Sequence, residues 1–257
     1  MITSTANAKI KHLVQLQKKH KTRQSEGVFV VEGARIVREI PQERLVEVYV
    51  SESFREGNEE IPKEVPVEVI ADHVFRHVSE TKTPQGIMGV VRMDEKGTEA
   101  IINHPKAHIL ILDNLQDPGN LGTIFRTAEA AGVTGVVMSK DCVDIYNPKV
   151  IRSTMGAIFR MPFYYASDLI LEVEKIKQAG VRVYAAHLAG EKNYDEVNYL
   201  EKTAFMLGNE GNGLRPEIAE MAEEYIRIPM EGKVESLNVA IAGTVLMFEV
   251  SRQRRRK

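Results

Sequence analysis

The sequence predicts an α/β protein of two domains, the second of which holds a mostly parallel sheet with helices on both faces. Three observations lead to this prediction. Short apolar runs alternate with helical patterns along the chain. Clear periodicity is lost between Met93 and Ala107, which marks the expected domain boundary. The chain has 257 residues, 43% of them hydrophobic, which is enough for one large or two modest domains.

Residues 1–95 are predicted to form a basic helix followed by a small α/β domain. Within residues 5–20, the side chains of Ile10, Leu13, Val14 and Gln17 share one helical face, and lysines surround the rest. The alternating elements that follow are predicted strands at 28–31, 45–50, 65–70 and 86–92 and predicted helices at 34–40 and 72–78.

Residues 106–257 are predicted to form the parallel sheet. Their first strand, His108 to Asp113, is a nearly continuous apolar run, as in a strand covered on both faces. A turn is expected at residues 117–120, and Ser236 is the expected N-cap of a last apolar helix. The remaining predicted elements are strands at 133–138, 163–165, 181–186, 203–207 and 225–228 and helices at 121–131, 148–155, 169–179 and 215–224.

The charge is balanced overall but unevenly spread. The chain has 34 Lys and Arg against 36 Asp and Glu, so the whole is not a basic nucleic-acid-binding protein. Residues 1–23 nevertheless hold six Lys or Arg and no acid, and residues 252–257 hold five basic residues. Two basic ends suggest local contact with a polyanion, and a solvated tail is the alternative for each. For residues 1–23 the alternative is a disordered tail with no role.

Thiol and metal chemistry find little support. Cys142 is the only cysteine, which excludes an intramolecular disulfide and a thiolate zinc site. His73 and His77 lie four residues apart, a spacing that can bind metal, but no third ligand accompanies them, so we expect no metal. The N-terminus lacks the apolar run of a secretory signal, and no apolar stretch reaches transmembrane length. We therefore expect a cytoplasmic protein without a membrane partner.

Three ends of predicted strands carry polar or glycine-rich sequence, at the edge where parallel sheets bind ligands. After the strand at 108–113, Asn120 lies in the expected turn and Arg126 in the following helix. After the strand at 203–207, three glycines surround Glu210 and Asn212 in an order that fits neither the dinucleotide-binding fingerprint nor the P-loop.

The third end is the sequence Glu235-Ser236-Leu237-Asn238, where polar side chains crowd a helix N-terminus that favours a polar or anionic ligand. Each stretch also has a structural interpretation: a surface arginine, a glycine-rich turn and a capped core helix. Together, at successive ends of one sheet, the three predict a ligand-binding site.

The sequences DPGNLGTIFRTAEAAG, MLGNEGNGL and IPMEGKVESLNVAIAG resemble the three motifs of the SpoU (TrmH) branch of the SPOUT RNA methyltransferases. This resemblance covers roughly residues 106–250. Residues 25–92, with FVVEGARIVREI and TKTPQGIMGVV, resemble more loosely the small substrate-binding domain that precedes the catalytic domain in many members. That small domain has an L7Ae-like fold.

The resemblance implies that a methyl group is transferred from S-adenosylmethionine to a ribose 2′-hydroxyl of RNA. It further implies a deep trefoil knot in the catalytic domain and a homodimer. The expected substrate is ribosomal RNA, with transfer RNA as the alternative. By motif position, the implied catalytic residues are Asn120, Arg126, Glu210, Ser236 and Asn238. The implied cofactor contacts are Leu207, Gly208, Gly211, Ile228, Met230, Leu237 and Val239.

The chemistry leaves the proton acceptor open. A ribose hydroxyl is a weak nucleophile, so its proton must be taken or polarised, and the three motifs contain no histidine. The family proposal makes Arg126 the general base, which conflicts with the very high pKa of arginine. Alternatively, Arg126 orients a phosphate while Glu210 or a water helps with the proton. A non-catalytic RNA-binding module and a methyltransferase acting on a base are the competing functions.

Overall fold

A computed structural model describes residues 1–57, 61–62, 65–94 and 98–255. The chain divides into two compact units, one of Met1–Asp94 with Asp144–Phe159 and one of Glu95–Val143 with Arg160–Lys257. The domain limits of 1–95 and 106–257 stay a prediction. They assign residues 144–159 to the second domain, whereas these residues belong to the first compact unit. Part of the predicted boundary segment, 95–97, and the basic residues 256–257 lie outside the described residues.

The helices and strands alternate along the chain. The helices are α1 (Ala8–Lys18), α2 (His20–Glu26), α3 (Ala34–Arg38), α4 (Glu52–Glu56), α5 (Asp72–Val78), α6 (Thr98–Ile102), α7 (Pro118–Ala131), α8 (Pro148–Thr154), α9 (Leu169–Gln178), α10 (Pro216–Ala219) and α11 (Val239–Arg255). The strands are β1 (Val28–Glu32), β2 (Leu45–Ser51), β3 (Val67–Ile70), β4 (Ile87–Arg92), β5 (His108–Leu112), β6 (Gly135–Ser139), β7 (Phe163–Ala166), β8 (Arg182–Ala186), β9 (Lys192–Asn193), β10 (Thr203–Leu207) and β11 (Glu224–Arg227).

The first unit is built on a four-stranded sheet in the order β1-β4-β2-β3. Helix α1 begins at its cap Asn7, whose side chain accepts a hydrogen bond from the Lys9 N–H at 2.9 Å. Its apolar face buries Ile10 and Leu13 completely against this sheet and α5. The N-terminal segment is therefore folded, and the alternative of a disordered tail is wrong.

Residues 144–159 belong to the core of the first unit. The ring of Tyr146 lies 4.6 Å from the ring of Phe29 on β1. The guanidinium of Arg23, which is 4% exposed, donates to the Asp144 carboxylate at 2.5 Å and to the carbonyl oxygens of Leu16 and Gln17. Such long-range partners leave no local periodic signal, so sequence analysis did not find this packing.

The second unit is built on a seven-stranded sheet in the order β7-β6-β5-β10-β8-β11-β9, and every pair in it is parallel. Every residue of β5 is buried, as its continuous apolar run predicts. Ile109 and Ile111 pack with α9 on one face, whereas Leu207 on the other face lies against Gly243 of α11. The predicted parallel sheet with helices on both faces is confirmed.

Three predicted elements of the second unit differ from the structure. Residues 117–120 are no separate turn, because α7 starts at Pro118 and the Asp117 side chain caps it by accepting from the Asn120 N–H at 2.8 Å. The last helix is capped by Asn238 rather than Ser236, since Asn238 Oδ1 accepts from the Ala240 N–H at 2.9 Å. The predicted helix at 215–224 shortens to α10, which ends at Ala219, and β11 begins at Glu224.

Among the helices of the described residues, none is long and apolar enough to cross a membrane.

Candidate active site

A cavity of about 350 Å³ lies at the carboxyl ends of β8, β10 and β11 in the second unit. Its size is that of small-molecule sites in proteins. Residues 208–214 form one wall and residues of the 228–237 segment another, while α11 contributes Val239, Ala242 and Leu246. All seven residues predicted to contact a cofactor line this cavity: Leu207, Gly208, Gly211, Ile228, Met230, Leu237 and Val239.

The glycine-rich wall is a tight, closed turn. Asn209 and Gly213 exchange two backbone hydrogen bonds of 2.9 Å each. A Cβ on Gly208 would lie 2.1 Å from the carbonyl carbon of Gly213, so only glycine fits at this close approach of backbone to backbone. Asn209 Oδ1 accepts from the N–H of Gly211 at 2.9 Å, which fixes the outward half of the turn.

This wall is fastened to the end of β5. The Asp113 carboxylate is fully buried and accepts from the Arg215 Nε at 2.9 Å and the Arg215 backbone N–H at 3.0 Å. Asn209 Nδ2 donates to the carbonyl oxygen of Asn114 at 2.8 Å, and Asn114 takes a left-handed backbone with φ of 54°. Sequence analysis missed these residues, although a charge directly ending an apolar strand is a signal that could have pointed to Asp113.

Three of the predicted catalytic residues form a continuous hydrogen-bonded chain. Asn120 Nδ2 donates to Glu210 Oε1 at 3.1 Å, and Asn238 Nδ2 donates to Asn120 Oδ1 at 3.0 Å. Asn238 Oδ1 must face the N–H groups of the first turn of α11, so its amide nitrogen faces Asn120. At the other end of the chain, the Glu210 carboxylate can only accept, so Asn120 presents its amide nitrogen to Glu210 and its amide oxygen to Asn238. The orientation of both asparagine amides is therefore fixed.

Glu210 is held as a carboxylate. Partial burial raises the pKa of its carboxyl, but hydrogen bonds from the Asp117 N–H, the Asn120 amide and the Gln116 N–H outweigh this effect and leave the pKa below its ordinary value. Its Oε1 accepts from the Asp117 N–H at 2.9 Å and its Oε2 from the Gln116 N–H at 3.2 Å. Both oxygens are occupied and weakly basic, which favours positioning over proton transfer.

The other two predicted catalytic residues are placed differently. Ser236 lines the cavity and is exposed. Arg126 is exposed on α7 and does not belong to the residues that line the cavity. Within the described part of the chain, its guanidinium has no hydrogen-bond or ion-pair partner. The structure therefore brings Asn120, Glu210, Ser236 and Asn238 to the cavity or its edge, and leaves Arg126 on the surface.

The histidine pair does not assemble a metal site. His73 Nε2 lies 3.0 Å from the carbonyl oxygen of Thr3 instead. In the ranges that the structure describes, no group of three or more His, Cys, Asp or Glu side chains could hold a metal ion. Cys142 is buried, and burial raises the pKa of its thiol.

Comparisons with known proteins agree with this geometry. Residues 107–248 match the SpoU rRNA methylase family, and residues 7–89 match the MRM3-like substrate-binding domain. The chain is 34% identical to the 23S rRNA (guanosine(2553)-2′-O)-methyltransferase RlmP of Bacillus subtilis over 97% of this chain and 98% of that protein.

Solved structures give the same result. An AdoMet-bound rRNA methyltransferase from Sinorhizobium meliloti is 28% identical with a TM-score of 0.85, over 98% of this chain and 97% of that one. A crystal structure of an RNA 2′-O ribose methyltransferase is 34% identical with a TM-score of 0.83, over 99% of each chain. The family match spans more than half of the chain and contains the cavity and the Glu210–Asn120–Asn238 chain. This protein belongs to the SpoU family of rRNA methylases.

Proposed function

We propose that this protein transfers a methyl group from S-adenosylmethionine to a ribose 2′-hydroxyl of RNA, and that the RNA is ribosomal. The observation that supports this proposal most strongly is the cavity of the second unit, which two of the family motifs build beside an oriented pair of asparagine amides. RlmP of Bacillus subtilis, which the chain matches along its length, is named a 23S rRNA 2′-O-methyltransferase. The Sinorhizobium meliloti relative is described as AdoMet-bound.

The cavity suits this cofactor. Its apolar lining, with Leu207, Ile226 and Leu246, can cover an adenine ring, and the backbone groups of the glycine-rich wall can bind polar edges. The close approach of Gly208 to Gly213 keeps this glycine-rich wall compact. When bound, S-adenosylmethionine supplies an electrophilic methyl group on a sulfonium cation. We expect the seven lining residues named above to hold it.

The asparagine pair positions the acceptor ribose. Each of the two amide nitrogens uses one N–H in this chain of hydrogen bonds and has a second N–H that can bind substrate. The Ser236 hydroxyl lies in the adjoining wall of the cavity. These groups can hold a ribose oxygen in line with the methyl donor, and such positioning supplies much of the rate in a displacement reaction. Glu210 orients Asn120, the hydroxyl proton leaves to water, and Arg126 binds a phosphate of the target RNA.

The activity is tested by two measurements on one preparation. Calorimetry measures binding of S-adenosylmethionine, and transfer of labelled methyl from it into ribosomal or transfer RNA measures catalysis. We expect binding and transfer to ribosomal RNA. Binding without transfer to either RNA would favour a non-catalytic RNA-binding module, and transfer to transfer RNA alone would replace the ribosomal substrate.

RNA contact is assigned to the exposed lysines of α1, of α2 and of the residue between them. Arg23 is buried, and Lys9 is tied to Glu47 at 2.9 Å and to Glu68 at 2.5 Å. The four remaining cations of the segment are exposed: Lys11, Lys18, Lys19 and Lys21.

The C-terminal basic end is a weaker candidate. Arg252 pairs with Glu249, and Arg254 donates to the carbonyl oxygens of Lys106, Ala107, Tyr199 and Glu201.

Charge substitution tests this contact better than truncation, because removing residues 1–23 would also remove Ile10 and Leu13 from the core. We expect the four lysines changed together to Gln to lower RNA affinity and to reduce the log–log salt slope by roughly 0.7–0.9 for each phosphate that is no longer neutralised. The control variant has four lysines of the second unit changed to Gln, so its net charge changes by the same amount: Lys175, Lys177, Lys192 and Lys202. An equal effect of both variants on affinity and slope would contradict the assignment.

We also propose a homodimer that covers one face of α11. Ile241 and Phe248 lie seven residues apart on this helix and are 50% and 40% exposed, whereas its opposite face is buried, with α7 and β10 as neighbours. A twofold contact through this face would bury them. Sedimentation should show dimers at micromolar concentration, and Phe248→Glu should give monomers; a monomeric wild type would refute the proposal.

The trefoil knot, the L7Ae-like fold and a cytoplasmic location stay predictions.

A further inference from the structure

One wall of the cavity is polar and lies outside the three sequence motifs. His187 directly follows β8, Arg227 ends β11, and both line the cavity. The two strands are parallel with Ala186 opposite Ile226, and the His187 backbone N–H donates to the Ile226 carbonyl oxygen at 3.0 Å. This register sets His187 beside Arg227 at the carboxyl end of the sheet.

The imidazole of His187 is fixed by two interactions. Its Nδ1 accepts from the backbone N–H of Ala189 at 3.1 Å, and its ring centre lies 4.9 Å from that of Tyr225 at an angle of 40°. A ring nitrogen that accepts an N–H bond carries no proton, so the neutral ring carries its proton on Nε2. No side chain or backbone group among the described residues accepts from this Nε2–H.

Arg227 is held in a similar way, because its Nε donates to Asn193 Oδ1 at 3.2 Å. The wall thus offers one oriented N–H donor beside one guanidinium, and neither belongs to the hydrogen-bonded chain of Glu210, Asn120 and Asn238. A donor and a cation side by side in a small-molecule cavity are suited to a carboxylate.

We propose that His187 is a cofactor-contacting residue whose Nε2–H donates to the methionine carboxylate of S-adenosylmethionine, with Arg227 beside it supplying positive charge. The proposal rests on the proposed function, since it names a further contact for the same cofactor. Hydrogen bonds to charged groups are the stronger class, so removal of this donor should weaken binding by about tenfold or more.

The test is calorimetric binding of S-adenosylmethionine to the full chain and two variants. His187→Phe keeps a ring against Tyr225 but has no donor, and we expect the dissociation constant to rise about tenfold or more. His187→Gln can place its amide nitrogen near the position of Nε2, and we expect it to stay within about threefold of wild type. Thermal unfolding without ligand, equal in the two variants, separates the missing hydrogen bond from a damaged fold.

A second ligand identifies the partner group independently of the Gln variant. Decarboxylated S-adenosylmethionine has no carboxylate, so wild type and His187→Phe should bind it equally. Equal binding of the intact cofactor by wild type and His187→Phe would overturn the proposal, and so would a penalty that persists with the decarboxylated ligand. Failure of the wild type to bind S-adenosylmethionine would instead defeat the proposed function.

Discussion

Asn238 donates from Nδ2 to Oδ1 of Asn120 across 3.0 Å, which joins the first turns of α11 and α7. The two residues are 118 positions apart in the sequence, and each comes from a different motif. The direction of this bond is fixed, because Asn238 uses its oxygen to accept from the first N–H groups of α11 and Asn120 uses its nitrogen to donate to Glu210. A change at either end should therefore disturb the amides in the middle.

Glu210→Gln should disturb them from the carboxylate end. A glutamine amide has one acceptor oxygen where three N–H donors now converge, so its NH₂ group must face at least one of them. We expect the rate of methyl transfer to fall by about 10- to 100-fold, because Asn120 is misplaced. Single-turnover kinetics measure this, with the exposed Glu220→Gln as control; a rate near wild type would show that Glu210 does not orient the site.

Arg126→Ala should separate catalysis from folding. Its exposed guanidinium has no partner within the described ranges, so thermal stability and cofactor affinity should stay at the wild-type level. Methyl transfer should fall by roughly 100-fold or more if the guanidinium holds an RNA phosphate. Thr123→Ala, exposed on the same helix, is the matched control. Single-turnover rates for Arg126→Ala that match this control would remove Arg126 from the reaction.

Buried His108 should make stability depend on pH. Burial, with a smaller effect of Arg254, lowers the pKa of its imidazole from 6.5 to about 3. The unfolded chain then binds a proton below pH 6.5 that the folded chain does not, so the free energy of unfolding should fall by up to about 1.4 kcal/mol per pH unit until about pH 3. Urea titrations of wild type and His108→Phe across this window should diverge as pH falls; parallel curves would contradict a buried neutral histidine.

Asp144→Asn should destabilise the first unit. The substitution keeps the shape of the side chain but leaves the buried guanidinium of Arg23 without its counter-charge, which costs on the order of 3 kcal/mol. Arg35→Gln removes a surface pair whose arginine is 76% exposed, and it should cost less than about 1 kcal/mol. Urea unfolding followed by circular dichroism compares the two, and equal effects would argue against residues 144–159 as part of this core.

Local signals in the sequence predicted most of the strands and longer helices. The apolar run of β5 follows from spacing alone and is confirmed. On α1, Ile10, Leu13 and Gln17 of the predicted face are buried, but Val14 is only half-buried and Leu16, which the prediction left out, is buried. Both Ser236 and Asn238 are residue types that can cap a helix, and the residue at which α11 begins depends on the path of the preceding loop. Ser236 was therefore predicted as the cap, although Asn238 has this role. Short elements such as β9, with two residues, are below the length at which a pattern is visible.

The site was predictable only where a motif contains it. Glycines around Glu210 indicated a wall of close backbone packing, and the cavity is built there. The buried pair of Asp113 with Arg215 spans 102 positions, and His187 stands alone beside a strand end, so neither forms a local pattern. Their positions follow from strand register, which single-sequence reasoning does not supply.

The most direct test of ribose methylation is mass spectrometry of nucleosides from ribosomal RNA that has reacted with the purified protein and S-adenosylmethionine. We predict one additional nucleoside whose methyl group remains with the ribose on fragmentation, and its absence after reaction with Asn238→Ala. A methyl group that remains with the base, or no methylated nucleoside with an enzyme that binds the cofactor, would contradict ribose methylation by this site.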